Sequence, residues 1–331
     1  MTVSPREAKA KILHHRRIAP DSFRLQLHCP EISRLARPGQ FVMLRVNELR
    51  DPFLRRPFSF SRIFRSRKKK GRPVDEGAIE ICYQVVGRGT SWLSQLREGQ
   101  GVDLLGPLGN GFTDFPGQKR AILIGGGIGI APLLAWAEEL RTRGNSKRKA
   151  FKVPPEALEV LVLVGAKSRE KVLGLKDCQR MGLEAQVATE DGSLGILGLA
   201  TDLLERELLT GGHDSTSIYA CGPTDMLARV AGIADQFDLP CQVLLEARMA
   251  CGVGACLGCT VKVREGGLPE GGKNGEGPAE HEIASEVDDR DSETGTPRER
   301  FMPAITEPPP FHYARVCKEG PVFEAREIFW D

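Results

Sequence analysis

The chain has 331 residues, enough for two domains and a smaller third at about 150 residues each. Its composition is 40% apolar and 27% charged, and 46 basic against 44 acidic side chains leave a formal charge of +2, which excludes a wholly disordered chain, a collagen and a polyanion-binding tail. Nine cysteines are too few for a disulfide-stapled secreted domain, yet three of them fall within nine residues, 251–259. Met1–Arg17 is polar and basic with no apolar run behind it, so no signal peptide is expected. The longest apolar stretch, Ala121–Ala137, is broken by four glycines and a proline and falls short of the roughly 20 residues that cross a bilayer. The expectation is a protein of the reducing cytoplasm with no membrane span and no nucleic-acid partner.

From Lys9 to about Asp114 short β-rich runs alternate with turns: Ser22–His28, Gln40–Val46, Ala78–Val86 and Val102–Leu105. Phe23, Leu25 and Leu27 alternate with Arg24, Gln26 and His28, the pattern of a half-buried strand. These runs predict an antiparallel β-barrel over residues 1–118. Within it, Arg55–Phe60 places a guanidinium, an aromatic ring and a hydroxyl on consecutive strand positions, suited to a phosphate, a flat ring and a ring nitrogen. Gly87-Arg88-Gly89-Thr90-Ser91 precedes an apolar helix expected to begin at Trp92-Leu93, a helix start that can face a phosphate. Seven positive charges between Arg62 and Arg72 read as a solvated loop.

Over residues 119–242 strands and helices alternate: strand Ala121–Ile124, helix Ala131–Arg143, strand Leu158–Val164, a helix near Val172–Met181, strand Glu184–Thr189, helix Ala200–Leu209 and strand Ser217–Ala220. This alternation predicts a doubly wound α/β domain with a parallel sheet. Gly125, Gly126, Gly127 and Gly129 sit between its first strand and a helix with Pro132 in its first turn, which lets a backbone approach a pyrophosphate at a helix N-terminus. The acidic residue that usually ends the second strand and selects NAD is absent, for Gly165, Ala166, Lys167, Ser168 and Arg169 follow Val164.

Residues 243–331 carry the cysteine group. Cys251, Cys256 and Cys259 are spaced C-x4-C-x2-C, and Cys317 follows after 57 residues, a plant-type arrangement for a 2Fe-2S cluster. Structural zinc prefers two C-x2-C pairs and only one exists; disulfides and unrelated buried thiols are the other readings. Arg264–Pro310 holds twelve acidic and five basic residues with hardly any apolar periodicity, and is expected to be a mobile insert at about 265–310. Cys29, Cys82, Cys178 and Cys241 are scattered singly and read as structural.

In this order, RPFS (Arg56–Ser59), GRGT (Gly87–Thr90), GPLGNGF (Gly106–Phe112), GGGIGIAP (Gly125–Pro132) and CGP (Cys221–Pro223) resemble the ferredoxin reductase superfamily. EARMACGVGACLGC (Glu246–Cys259) with RVCKEGPVF (Arg315–Phe323) is similar to the electron-transfer subunit of the two-subunit, NAD-linked dihydroorotate dehydrogenases, and the likeness spans nearly the whole chain apart from the basic loop and the long acidic insert. The resemblance implies FAD on the barrel, NAD on the α/β domain and a 2Fe-2S cluster in the C-terminal domain. It implies that Arg56, Pro57, Phe58, Ser59, Cys82, Tyr83, Gln84, Gly89 and Thr90 line the FAD. Gly125, Gly126, Gly127, Gly129, Pro132, Cys221, Gly222 and Pro223 would face the nicotinamide dinucleotide, and Cys251, Cys256, Cys259 and Cys317 would hold the cluster. Ser59 would bond the flavin nitrogen that gives up hydride, with Cys221 and Glu246 bordering the nicotinamide. The implied partner is an FMN-containing catalytic subunit, two of each forming a heterotetramer, and no residue here suits the base that deprotonates dihydroorotate. Rival readings are the equivalent subunit of a sulfide dehydrogenase or of an electron-bifurcating ferredoxin:NADP oxidoreductase, and a non-catalytic iron–sulfur sensor on the same fold.

Overall fold

The computed structural model describes residues 4–46, 51–65, 77–150, 158–211, 213–265 and 310–330. Most of the basic run, residues 66–72, and nearly all of the acidic insert, residues 266–309, lie outside the described residues.

The N-terminal strands close into an antiparallel barrel. β1 (Arg6–Ala19), β2 (Ser22–His28), β3 (Phe41–Arg45), β4 (Arg56–Phe64), β5 (Ala78–Gln84) and β6 (Gly101–Leu108) are ordered β1-β2-β5-β4-β3-β6, with β6 returning to β1. Alternation on β2 works as expected: Leu25 and Leu27 are fully buried with Ile79, Ile81 and Phe60, while Arg24 and Gln26 stand on the outer wall. A short helix, α1 (Pro30–Ser33), follows β2. The second helix departs from expectation, for α2 covers Arg88–Leu93 and ends where a helix was expected to begin. The cause is local: the Thr90 hydroxyl accepts the N–H groups of Val86 at 2.9 Å and Gly87 at 3.2 Å, which caps the turn at Gly87.

A seven-stranded sheet follows, ordered β10-β9-β8-β7-β11-β12-β15. It comprises β7 (Arg120–Gly126), β8 (Glu159–Ala166), β9 (Glu184–Thr189), β10 (Ile196–Leu197), β11 (Thr216–Cys221) and β12 (Cys241–Leu244), all parallel, with β15 (Val322–Glu324) antiparallel at the edge. The helices are α3 (Ile130–Ala150), α4 (Leu175–Met181), α5 (Ala200–Leu209) and α6 (Thr224–Gln236). α4 starts three residues later than the apolar pattern suggests because Gly174, at φ +86°, takes a left-handed turn that no helix can include. No helix among the described residues is long and apolar enough to cross a membrane.

The third sheet is a hairpin of β13 (Thr260–Arg264) and β14 (Phe311–Arg315), registered from Thr260↔Arg315 to Arg264↔Phe311. The Glu265 N–H donates to the Pro310 carbonyl at 2.8 Å just beyond it. The acidic insert therefore leaves and re-enters at adjacent points, and Cys259 and Cys317 adjoin the opposite end of the ladder, where the Val316 N–H donates to the Cys259 carbonyl at 2.9 Å.

Ion pairs tie the barrel to the α/β unit. Arg62 forks onto Glu138 of α3 at 3.0 and 3.1 Å. Arg24 of β2 forks onto Asp177 of α4 at 3.0 and 2.5 Å, with Glu80 at 3.6 Å, and both partners keep only 12–13% of their side-chain surface exposed. Burial raises the Asp177 carboxyl, but the Arg24 guanidinium outweighs it and holds the group below its ordinary 3.8. A depressed carboxyl stabilises the fold above its unfolded value and loses that contribution as pH falls through the folded value. Asp177→Ala is thus expected to cost about 3 kcal/mol, the low end for one partner of a buried pair because Glu80 remains nearby. Calorimetry should show the full loss above about pH 5 and a shrinking difference from wild type below that.

Candidate functional site

A cavity of about 320 Å³ lies where the barrel, the α/β unit and the C-terminal segment meet. Barrel residues Arg56, Pro57, Phe58, Ser59, Cys82, Tyr83, Gln84 and Thr90 line one side, Ile128, Ala131 and Pro132 the second, and Glu246, Ala247 and Met249 the third. Strand alternation divides the barrel set. Phe58 and Tyr83 pack in the barrel core, rings 5.7 Å apart, and the Tyr83 hydroxyl meets His15 Nε2 at 2.8 Å, so these two bound the cavity from behind. Gln84 donates its side-chain N–H to Asp21 at 2.7 Å. Gly89 abuts Arg56, and an added Cβ there would collide with the guanidinium. That bare backbone beside a guanidinium and a capping hydroxyl, next to an apolar wall, fits a flat cofactor carrying phosphate.

The glycine turn sits at the same junction. Gly125 is paired with Cys221 across the parallel ladder, and an added Cβ on Gly129 would collide with the Cys221 carbonyl. A Cβ on Gly126 would lie 2.9 Å from Pro223 Cδ, and Gly222 packs 3.1 Å from the Gly126 nitrogen in the same sense. Gly127, at φ +55°, has open space beside it and turns the chain into α3. Cys221 itself is buried, 1% exposed, and does not line the cavity; burial first, and the Glu246 charge second, push its thiol well up. Glu246 stands at the cavity rim with its carboxyl held above the ordinary range by the surrounding protein. Cys221 and Glu246 are therefore neighbours, as the sequence reading requires, but only Glu246 is open to a ligand in this conformation.

The four cysteines converge in two pairs. Cys251 and Cys256 touch through their thiols, and so do Cys259 and Cys317. Cys259 and Cys317 are buried, whereas Cys256 is exposed. The Gly254 N–H donates to Cys317 Sγ at 3.1 Å and the Val253 N–H to Cys251 Sγ at 3.5 Å. Burial raises the Cys251 thiol, but N–H donors from Val253, Cys256 and Ala255 outweigh it and bring it down to about 6. Gly254 adopts φ +82°, and a Cβ there would sit 2.7 Å from Lys318 Cδ, so the loop can wrap the sulfurs only as glycine. No three ligand groups among the described residues converge on one point. Two thiol pairs with N–H donors suit a group with two metal centres, one per pair, better than a single tetrahedral ion.

Two positioning features were not singled out from sequence. Asn110, inside GPLGNGF, donates from Nδ2 to the carbonyls of Glu319 and Val322 at 2.8 Å, and accepts the Val322 N–H at 2.9 Å. It thereby pins the segment immediately after Cys317; an asparagine between two glycines was the available signal. Met43 of β3 packs against Gly252, so the thiol loop rests on the barrel. Only Ala250 separates Met249 of the cavity wall from Cys251.

The profile of the iron–sulfur cluster binding domain of dihydroorotate dehydrogenase B matches residues 246–273. The electron transfer subunit of dihydroorotate dehydrogenase B (NAD(+)) from Desulforamulus reducens is 38% identical over 259 residues, 78% of this chain and 89% of its own. The same subunit from Caldanaerobacter subterraneus subsp. tengcongensis is 33% identical over 322 residues, 97% of this chain and 98% of its own. Among solved structures, the bifurcating NADH-dependent reduced ferredoxin-NADP oxidoreductase superposes with a TM-score of 0.67 at 24% identity, covering 98% of this chain and 90% of that one, a likeness of fold. A ferredoxin NADP+ reductase from Neisseria gonorrhoeae with bound FAD and NADP superposes at 0.53 with 19% identity, covering 70% and 91%. A ferredoxin-reductase barrel and sheet, a glycine turn facing the barrel cavity and a four-thiol loop behind it, at this identity over nearly full length, place the chain in the family of electron transfer subunits of dihydroorotate dehydrogenase B (NAD(+)).

Proposed function

We propose that this chain takes electrons from the FMN-containing catalytic subunit of a cytoplasmic dihydroorotate dehydrogenase and delivers them to NAD+, in a heterotetramer of two subunits of each kind. When bound, the 2Fe-2S cluster supplies one-electron transfer, FAD couples one- and two-electron chemistry, and the nicotinamide accepts hydride. The observation that carries this reading is the short covalent path from the cavity rim at Glu246–Met249 to the thiol loop at Cys251.

Each part of the chain has a task in this reading. Arg56, Gly89 and Thr90 hold the FAD phosphates, Pro57 and Ser59 face its ring, and Cys82 and Gln84 close the wall. Ser59 Oγ donates to the ring nitrogen that exchanges hydride. Gly125–Gly129, Pro132, Gly222 and Pro223 receive the nicotinamide dinucleotide at the C-terminal ends of β7 and β11, the usual place for a ligand in an open parallel sheet, with Cys221 buried behind them. Cys251, Cys256, Cys259 and Cys317 ligate the cluster. Val253 and Leu257, 44% and 62% exposed on either side of Cys256, offer the apolar contact for the catalytic subunit.

Purified chain is expected to oxidise NADH with an artificial acceptor and to convert dihydroorotate only after its catalytic partner is added; conversion without the partner would overturn the assignment. Ser59→Ala should retain FAD and slow its reduction by NADH about 10- to 100-fold, the worth of one lost hydrogen bond to a reacting centre, as read by stopped-flow flavin absorbance. Replacing residues 266–309 by a short glycine–serine turn should leave the visible absorption of the cluster unchanged, because the β13–β14 ladder already brings Cys259 and Cys317 together at its far end. Asn110→Ala in the full chain should accelerate loss of that absorption under a chelator.

A further inference from the structure

A second and larger cavity, about 870 Å³, lies between the outer wall of the barrel and the α4 side of the sheet unit, and shares no lining residue with the cavity bounded by Arg56, Pro132 and Glu246. None of Gly125–Gly129 and Cys221–Pro223 reaches it. Its carboxylates are accounted for: Glu98 pairs with His14 at 3.2 Å, while Asp177 and Glu80 flank Arg24. Arg16, Arg17, Arg169 and Lys176 also line it and make no ion pair among the described residues; Arg17 and Arg169 spend one N–H each on the Ala19 and Ser193 carbonyls. Four cations without a close ion-pair partner around one cavity favour a multiply charged anion.

The floor adds a second requirement. Gln26 is 7% exposed and lines the cavity, and its amide nitrogen has no hydrogen-bond partner. A buried donor left unpaired costs about 1–3 kcal/mol, which an acceptor on a ligand would recover. Directly across the ladder from Gln26 stands Glu80, whose carboxylate accepts the Ser61 hydroxyl at 3.1 Å. A donor beside an acceptor matches the amide-like edge of a nucleobase. Ile18, Leu173 and Leu194 supply apolar wall for its faces.

We propose that this cavity is a binding site for a nucleoside monophosphate, with the phosphate held by Arg16, Arg17, Arg169 and Lys176 and the base edge read by Gln26 and Glu80. The site shares no lining residue with the glycine turn or with Cys221–Pro223, although Arg169 stands just past the end of the second strand of the sheet unit. A free mononucleotide and the adenylate half of a bound dinucleotide share this chemistry, so the test is made with the groove filled.

Isothermal titration of the holoprotein with AMP, GMP, CMP and UMP under saturating NAD+ should find at least one that binds once per chain. Arg16→Ala/Lys176→Ala should weaken that binding tenfold or more while NADH oxidation with an artificial acceptor stays at the wild-type rate. Gln26→Leu should weaken the nucleotide but leave inorganic pyrophosphate unaffected, and pyrophosphate should bind more weakly than the best nucleotide. The proposal is overturned if none of the four binds, if NAD+ displaces them, if the double variant binds as well as wild type, or if pyrophosphate binds as tightly as every nucleotide.

Discussion

Asn110 and the short stretch it grips, Glu319–Val322, hold the three parts of this molecule in one arrangement. Three side-chain hydrogen bonds of 2.8–2.9 Å, with the Asn110 N–H to Gly320 carbonyl bond at 2.6 Å, fasten the C-terminal segment to the end of the barrel. Val322 then pairs with Leu244 at the edge of the parallel sheet, and Cys317 lies a few residues upstream against Cys259. One amide thus couples barrel, sheet and thiol loop, and a shift in any of them is felt by the other two. Backbone groups that would be orphaned at this junction are satisfied by a side chain able to donate and accept at once, which aspartate or leucine could not do.

The junction has a chemical consequence. Electron transfer needs its carriers held close and held still, and the chain achieves this by closing the cavity with residues from all three parts. The barrel supplies the guanidinium and hydroxyl side, the sheet supplies the glycine turn, and the segment from Glu246 to Met249 runs straight from the cavity rim into the thiol loop. Within that loop, glycines at 252 and 254 take left-handed conformations that turn backbone N–H groups onto sulfur. Donors on sulfur stabilise negative charge there and so bear on reduction potential as well as on geometry.

The ionic contacts between barrel and sheet unit play a different part. Arg24–Asp177 and Arg62–Glu138 are forked and partly buried, so they specify one docking of the two units as much as they stabilise it. They also wall off the basic cavity, where cations outnumber the carboxylates available to them.

Much of this was legible in the residues themselves. The period-two alternation of Phe23–His28 announced a barrel strand, the alternation of apolar runs with helical segments announced a parallel sheet, and C-x4-C-x2-C within glycines announced a metal-binding loop; each is a local pattern whose period or spacing is imposed by backbone geometry. Local pattern did not reveal that α2 begins at Arg88, because its start rests on one threonine cap, nor that α4 is cut at Gly174, because apolar spacing runs on through a left-handed glycine. It could not place Cys317, which is remote in sequence and reaches Cys259 only through the β13–β14 ladder, nor assign Asn110 its grip. The turning of Phe58 and Tyr83 into the barrel core, the burial of Cys221 behind its neighbours and the gathering of Arg16, Gln26 and Lys176 around one cavity were likewise decided in three dimensions. Sequence determines which chemistry each segment can offer; which groups meet, and which are shut away from ligand, depends on long-range pairing and packing that no single segment contains.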